Sequence, residues 1–144
     1  MSWIQTYSGK QFFPLNPDPE LICIEDIAHA LSLLCRYGGH CREFYSVAQH
    51  SVLVAGQVEL LGGSRDLVLT SLLHDASEAY LIDLPRPIKE DIDEYRLIES
   101  RLEEVIAERF RTLFPLPSVI KDVDNRMLET ERRAFMSHCE VEWS

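Results

Sequence analysis

The sequence predicts an all-α fold, a compact helical bundle entered through a short N-terminal β-hairpin. Three observations carry this. From Ile24 onward, apolar residues return with helical period. Serines and prolines punctuate that pattern where helices should start and stop, at Ser46, Ser64, Pro115, Pro117 and Ser118. Alternating, turn-separated residues are confined to the first nineteen positions. The chain of 144 residues reads as a single domain, with a hairpin extension over 1–19 and a helical core over 24–136. A chain of this size buries about 70% of its unfolded surface on folding, enough for a proper core.

In chain order, Trp3–Tyr7 and Gln11–Leu15 flank Ser8-Gly9-Lys10 as a hairpin, and Asn16-Pro17-Asp18-Pro19 ends it. Ile24, Ile27, Ala28, Leu31, Leu34 and Cys35 define the inner face of a first helix. Arg36-Tyr37-Gly38-Gly39-His40 breaks it, with glycine as the stop signal. Ser46 caps a second helix carrying Val47, His50, Ser51, Val54, Val58 and Leu61 on one side. After the turn Gly62-Gly63-Ser64, a third helix carries Leu67, Ser71, His74 and Glu78 on one stripe. Leu84-Pro85-Arg86-Pro87 is a stiff loop. A fourth helix over roughly 90–113 buries Ile92, Tyr95, Ile98, Leu102, Val105, Ile106, Phe110 and Leu113, with Glu and Arg on its outer face. Ser118 caps a last helix that runs to about Met136.

Composition bounds the function. The formal net charge of −10 repels nucleic-acid backbones, which argues against a nucleic-acid binder but not against a small anionic substrate. No apolar run is long enough to cross a membrane, and Met1-Ser2-Trp3-Ile4-Gln5 has no signal-peptide character, so a cytoplasmic protein is expected. Cys23, Cys35, Cys41 and Cys139 lack CxxC spacing and read as free thiols, two of them in helix core. Cys35, His40 and Cys41 lie close together, but a fourth zinc ligand at suitable spacing is absent.

The candidate site lies on inward stripes. His74-Asp75 sits inside Leu72-Leu73-His74-Asp75-Ala76-Ser77-Glu78-Ala79, and burying both groups costs free energy that a cation offsets. His50 faces inward on the second helix. On the last helix, Asp124 falls near the centre of the stripe formed by Ile120, Val123, Met127, Leu128, Ala134 and Phe135, and Glu131 lies on the same stripe two turns on. Singly, each is read as a core histidine or a buried salt-bridge carboxylate. Convergence of His50, His74, Asp75 and Asp124 on one divalent ion satisfies all four together. The mixed nitrogen and oxygen set suits Mn, Co, Fe, Ni or Zn.

This order of His50, His74-Asp75 and Asp124 resembles the signature of the HD-domain metal-dependent phosphohydrolases, an all-helical family. His74-Asp75-Ala76-Ser77-Glu78, followed by Asp83-Leu84-Pro85-Arg86-Pro87-Ile88-Lys89, is similar to the small 5′-deoxynucleotidase branch. Arg36-Tyr37 resembles that branch's Arg-Trp pair, and Tyr37 stands in place of the tryptophan that crowds the sugar 2′ position. The Gly38-Gly39-His40-Cys41 insertion and the hairpin depart from the branch. No histidine lies between Asp75 and Asp124, so a single ion is expected, and Ala79 after Glu78 departs from the HDxxED pattern of the alarmone hydrolases.

The resemblance implies hydrolysis of (deoxy)nucleoside 5′-monophosphates, with Asp75 and Glu78 as catalytic carboxylates and Glu78 as general acid/base. Arg36 is then the phosphate clamp, Tyr37 and Asp83 contact the sugar, and Lys89 is a further phosphate contact. The rival enzyme, a dNTP triphospho- or pyrophosphohydrolase, needs cations that only Arg86, Lys89 and His40 readily supply. A non-catalytic nucleotide-binding regulator is the other alternative. The family's habit of pairing makes a homodimer the expected assembly.

Overall fold

The computed structural model describes residues 1–143. Two 2-residue strands, β1 (Ile4–Gln5) and β2 (Gln11–Phe12), pair antiparallel, with Ile4 opposite Phe12 and Gln5 opposite Gln11. Seven helices follow among the described residues: α1 (Ile24–Leu33), α2 (Val47–Leu60), α3 (Arg65–Leu72), α4 (Glu78–Leu81), α5 (Arg86–Lys89), α6 (Asp93–Phe110) and α7 (Ser118–Phe135). The mostly helical fold matches the sequence reading. None of the described helices is long and apolar enough to cross a membrane.

The hairpin is built into the body rather than appended to it. Phe12 is fully buried and stacks on Tyr80 of α4, with ring centroids 4.2 Å apart. Asp26, in the first turn of α1, fastens the turn by accepting from the Ser8 backbone N–H at 2.7 Å and from the Ser8 hydroxyl at 2.9 Å. Burial works against the Asp26 charge, but hydrogen bonds from Thr6, Ser8 and Cys23 outweigh it and hold the carboxyl below its usual range. Its stabilising contribution is therefore fully present above the unfolded pKa of about 3.9 and is lost as pH falls through the lower folded value. Asp26→Asn is expected to remove about 1–3 kcal/mol at pH 7 and to flatten the acid limb of a pH–stability curve measured by urea unfolding.

The central helix is α2, which packs against α1, α3 and α7. Its start is sealed by Ser46, whose hydroxyl accepts from the Gln49 N–H at 3.0 Å. Its end is a left-handed glycine stop: Gly62 has φ +82°, Gly62 N–H bonds Glu59 O at 2.9 Å, and Gly63 N–H bonds Val58 O at 3.0 Å. At Gly63 a Cβ would meet Val58 Cγ1 at 2.7 Å and Val58 O at 2.9 Å. Gly63→Ala is expected to cost about 1–3 kcal/mol, read as a lower urea midpoint at unchanged m-value. Ser64 then caps α3 by accepting from the Leu67 N–H at 3.2 Å.

Two packed clusters form the core. Phe12, Ile22, Ile27, Leu31, Val47, Leu73, Ala76, Tyr80, Leu102 and Ile106 make the larger one, while Val54, Val58, Ile120 and Val123 join α2 to α7.

Several local expectations are corrected. The third helix stops at Leu72 instead of running through Glu78. Thr70 Oγ1 bonds Asp66 O at 2.7 Å, Ser71 Oγ bonds Val68 O at 2.7 Å, and the His74 ring occupies Ser71 O at 2.7 Å, an acceptor that the Asp75 N–H would need in a continuing helix. The stiff loop at Leu84–Pro87 gives way to the short helix α5, and the fourth helix starts at Asp93 and ends at Phe110, where acidic Asp93 and Glu94 favour its N-terminus. Ile92 and Leu113 are consequently exposed, as is Leu61, which follows the last residue of α2, while Tyr95 and Ile98 are half-buried. The first helix ends without a glycine: Leu34 turns extended so that Cys35 can bridge to Ser46. Ser118 is the first residue of α7 rather than its cap, and Ala134 on that helix is exposed. All four cysteines are free and lie outside the helices, so none is helix core.

Candidate metal centre

Three elements deliver the site. α2 supplies His50, the turn between α3 and α4 supplies His74 and Asp75, and α7 supplies Asp124. His50 is fully buried, and its Nδ1 is paired with Glu131 Oε1. His74 Nδ1 donates to Ser71 O at 2.7 Å. A carboxylate and a carbonyl only accept, so in the neutral ring each Nδ1 carries the proton and each Nε2 keeps its lone pair.

Both Nε2 atoms then point at the same place. His50 Nε2 lies 2.9 Å from Asp124 Oδ1 and 3.6 Å from Asp75 Oδ2. His74 Nε2 lies 3.1 Å from Asp75 Oδ2 and 3.7 Å from Asp124 Oδ1. Ligands about 2.0–2.2 Å from a common ion sit roughly 3–4 Å apart, and these four separations match that spacing. Both Nε2 atoms are buried and without a satisfying hydrogen-bond partner. His50, His74 and Asp124 offer ligand atoms within 4.8 Å of one another, a group that can hold a metal ion.

The electrostatics agree with a cation site. Burial opposes the charge on each imidazole, yet Asp124, Glu131 and Asp75 raise the pKa of His50, and Asp75 and Asp124 raise that of His74 well above the ordinary value. Burial likewise opposes the carboxylate charges, but the two imidazoles hold Asp75 below the usual range and Asp124 far below it. Two carboxylates facing two imidazoles demand positive charge between them, supplied by protons or by a metal ion.

Glu131 is the residue whose role the sequence reading did not assign. It is 1% exposed and fully engaged: Oε1 pairs with His50, while Oε2 accepts from Arg36 Nε at 2.9 Å and from the Tyr37 hydroxyl at 2.7 Å. Its signal was visible as a second carboxylate on the apolar stripe of α7, seven residues beyond Asp124. Arg36 is buried, with Nη1 3.9 Å from Asp75 Oδ2. Tyr37 sits in a left-handed turn at φ +57°, and its hydroxyl is committed to Glu131.

Glu78 opens α4 and is buried, with Oε2 lacking any hydrogen-bond partner. Burial foremost, then the charges of Asp75 and Asp83, push its carboxyl well above the usual range, against the pull of Lys89 and Arg36. Asp83 is half-buried and shifted upward, chiefly by burial. It follows Ile82, whose φ of +68° and ψ of 167° lie in a region rarely occupied except by glycine. Lys89 is paired with Glu99 at 2.6 Å. A cleft of about 370 Å³ adjoins His74, lined also by Ser77, Glu103, Phe114 and Lys121. Burial and the Glu99 charge push the Glu103 carboxyl up to about 7.

No family model matches the chain. It is 40% identical over 133 residues to "Uncharacterized protein YfdR" of Escherichia coli strain K12, spanning 92% of this chain and 72% of that protein. It is 35% identical over 155 residues to "Uncharacterized protein RCAP_rcc00048" of Rhodobacter capsulatus, spanning 98% of this chain and 78% of that protein. With such identity carried across most of both lengths, the chain belongs to the family of the Escherichia coli protein YfdR.

Proposed function

We propose that this protein is an HD-type metal-dependent phosphohydrolase that releases phosphate from (deoxy)nucleoside 5′-monophosphates. The observation that carries the reading is the pair of imidazoles whose Nδ1 atoms are committed outward and whose Nε2 atoms converge on Asp75 and Asp124. One divalent ion, Mn, Co, Fe, Ni or Zn, is held by His50, His74, Asp75 and Asp124. When bound, such an ion polarises a phosphoryl oxygen and acidifies water.

The chain's own groups supply the remainder. Glu78 keeps its proton by burial beside Asp75 and Asp83, so it can protonate the leaving sugar oxygen. Arg36 is anchored through Nε by Glu131, which leaves its Nη groups to meet a phosphate oxygen near Asp75. Asp83 accepts from a sugar hydroxyl. Tyr37 shapes the sugar pocket, and Lys89 adds positive potential. One ordered phosphate matches this supply of cations better than three, because Lys89 is already paired with Glu99. The protein acts in the cytoplasm, and the assembly is a homodimer.

The test is phosphate release by metal-stripped protein re-supplied with Mn, Co or Zn, on panels of (d)NMPs and dNTPs, with product chromatography. Nucleoside plus phosphate from monophosphates supports the reading. Triphosphate or pyrophosphate release from dNTPs replaces it with the rival enzyme, and tight nucleotide binding without turnover replaces it with a regulator. Glu131→Gln is expected to weaken metal affinity about 10–100-fold, measured by chelator competition, because the outer partner that orients His50 is lost.

A further inference from the structure

We propose that Lys10 and Cys23 form a peroxide-driven crosslinking site, where oxidation of the Cys23 sulfur ends in a covalent nitrogen–sulfur bond clamping the hairpin to α1. The two side chains come from different elements: Lys10 closes the hairpin turn, and Cys23 is the residue preceding α1. Lys10 Nζ donates to Cys23 Sγ at 3.0 Å. Both residues are half-buried, so a small oxidant reaches them.

The surroundings distinguish this pair from an incidental contact. The chain has three lysines, and among the described residues no other cysteine sulfur has a lysine nitrogen within hydrogen-bond distance. The Tyr80 hydroxyl is buried without a hydrogen-bond partner, in the same corner as Asp26 and Cys23. A cavity of about 330 Å³, lined by Thr6, Tyr7, Asp26, His29 and Tyr80, opens between hairpin and helix beside it.

The chemistry balances with hydrogen peroxide as oxidant. The sulfur attacks one peroxide oxygen: the O–O bond breaks, an S–O bond forms, and the thiol hydrogen leaves with the other oxygen as water. The Lys10 amine then attacks the sulfenic sulfur. An N–S bond forms, the S–O bond breaks, and the hydroxyl leaves as water with a proton from nitrogen. Lys10 first gives its ammonium proton to solvent. Its raised pKa comes chiefly from the hydrogen bond to Cys23, a support that ends once the sulfur is oxidised. The clamp acts on a hairpin whose Phe12 packs against Tyr80 of α4, the helix that begins at Glu78, so it stiffens the wall behind that carboxyl.

The experiment treats two proteins with hydrogen peroxide, the natural chain and a variant with Cys35, Cys41 and Cys139 changed to Ser, and maps digests by mass spectrometry. Expected in both is a linked peptide pair containing Lys10 and Cys23, lighter than the sum of its parts by about 2 Da and released by dithiothreitol. In Lys10→Gln, the linked pair is absent and Cys23 accumulates as sulfenic and sulfinic acid. If Cys23 yields those acids with Lys10 unmodified in the natural chain, or resists oxidation, the proposal is overturned.

Discussion

Asp124→Ala is expected to leave the protein folded, free of divalent metal after dialysis, and slower in phosphate release by more than about 10²-fold. Asp124 Oδ1 stands closest to the buried His50 Nε2, at 2.9 Å, and faces His74 Nε2 at 3.7 Å. Its carboxyl is held far below the usual range by those two imidazoles against the cost of burial. Removing it deletes both a ligand and one of the two negative charges that make a cation welcome. Loss of an outer partner alone costs about 10–100-fold in affinity, so loss of a direct ligand costs more. The fold survives because the Asp124 side chain is 28% exposed and its truncation opens no deep cavity. Metal-to-protein ratio and kcat/KM are the measurements. A variant that keeps stoichiometric metal and its rate would remove Asp124 from the centre.

Glu78→Gln separates proton transfer from binding. The amide fills the same buried volume but cannot deliver a proton, so kcat should fall about 10²–10⁴-fold while metal content and KM change little. A stability readout accompanies it. The Glu78 pKa is raised in the folded protein, so its contribution is fully present below the unfolded pKa of about 4.3 and is lost as pH rises through the folded value. The amide has no such dependence. The variant should therefore gain stability relative to the natural protein at pH 8 and show no gain at pH 4, measured by urea unfolding at both. A loss of metal instead of kcat would make Glu78 a structural support for Asp75.

The His/Asp cluster was legible because it breaks a pattern. His50 and Asp124 each interrupt an apolar stripe whose period is set by helix geometry, and the stripes of α2 and α7 survive in the fold with Val54, Val58, Ile120 and Val123 packed between them. The caps at Ser46 and Ser64 were legible for a similar reason: a hydroxyl three residues before an orphan N–H is a local interaction.

The turn at His74-Asp75 was not legible. Apolar periodicity continued through it, and the helix was broken by side-chain bonds from Thr70, Ser71 and His74 to carbonyls, which periodicity does not register. Helix α5 escaped because Pro85 and Pro87 read as a stiff loop. Arg36 and Tyr37 were singled out as substrate contacts, yet what holds them is Glu131, 95 and 94 residues away along the chain.

Local sequence thus sufficed for what depends on neighbours within a few residues: the helical class, the serine-capped starts of α2 and α3, and the four residues whose polarity contradicts their position. The folded chain alone decided how those residues meet. It set Glu131 behind His50, turned both Nε2 atoms onto the same two carboxylates, and buried Glu78 where its carboxyl is pushed well above the usual range. The physical reason is range. Periodicity and capping are interactions within one or two helical turns, whereas desolvation and charge pairing depend on which distant segments exclude water from the same point.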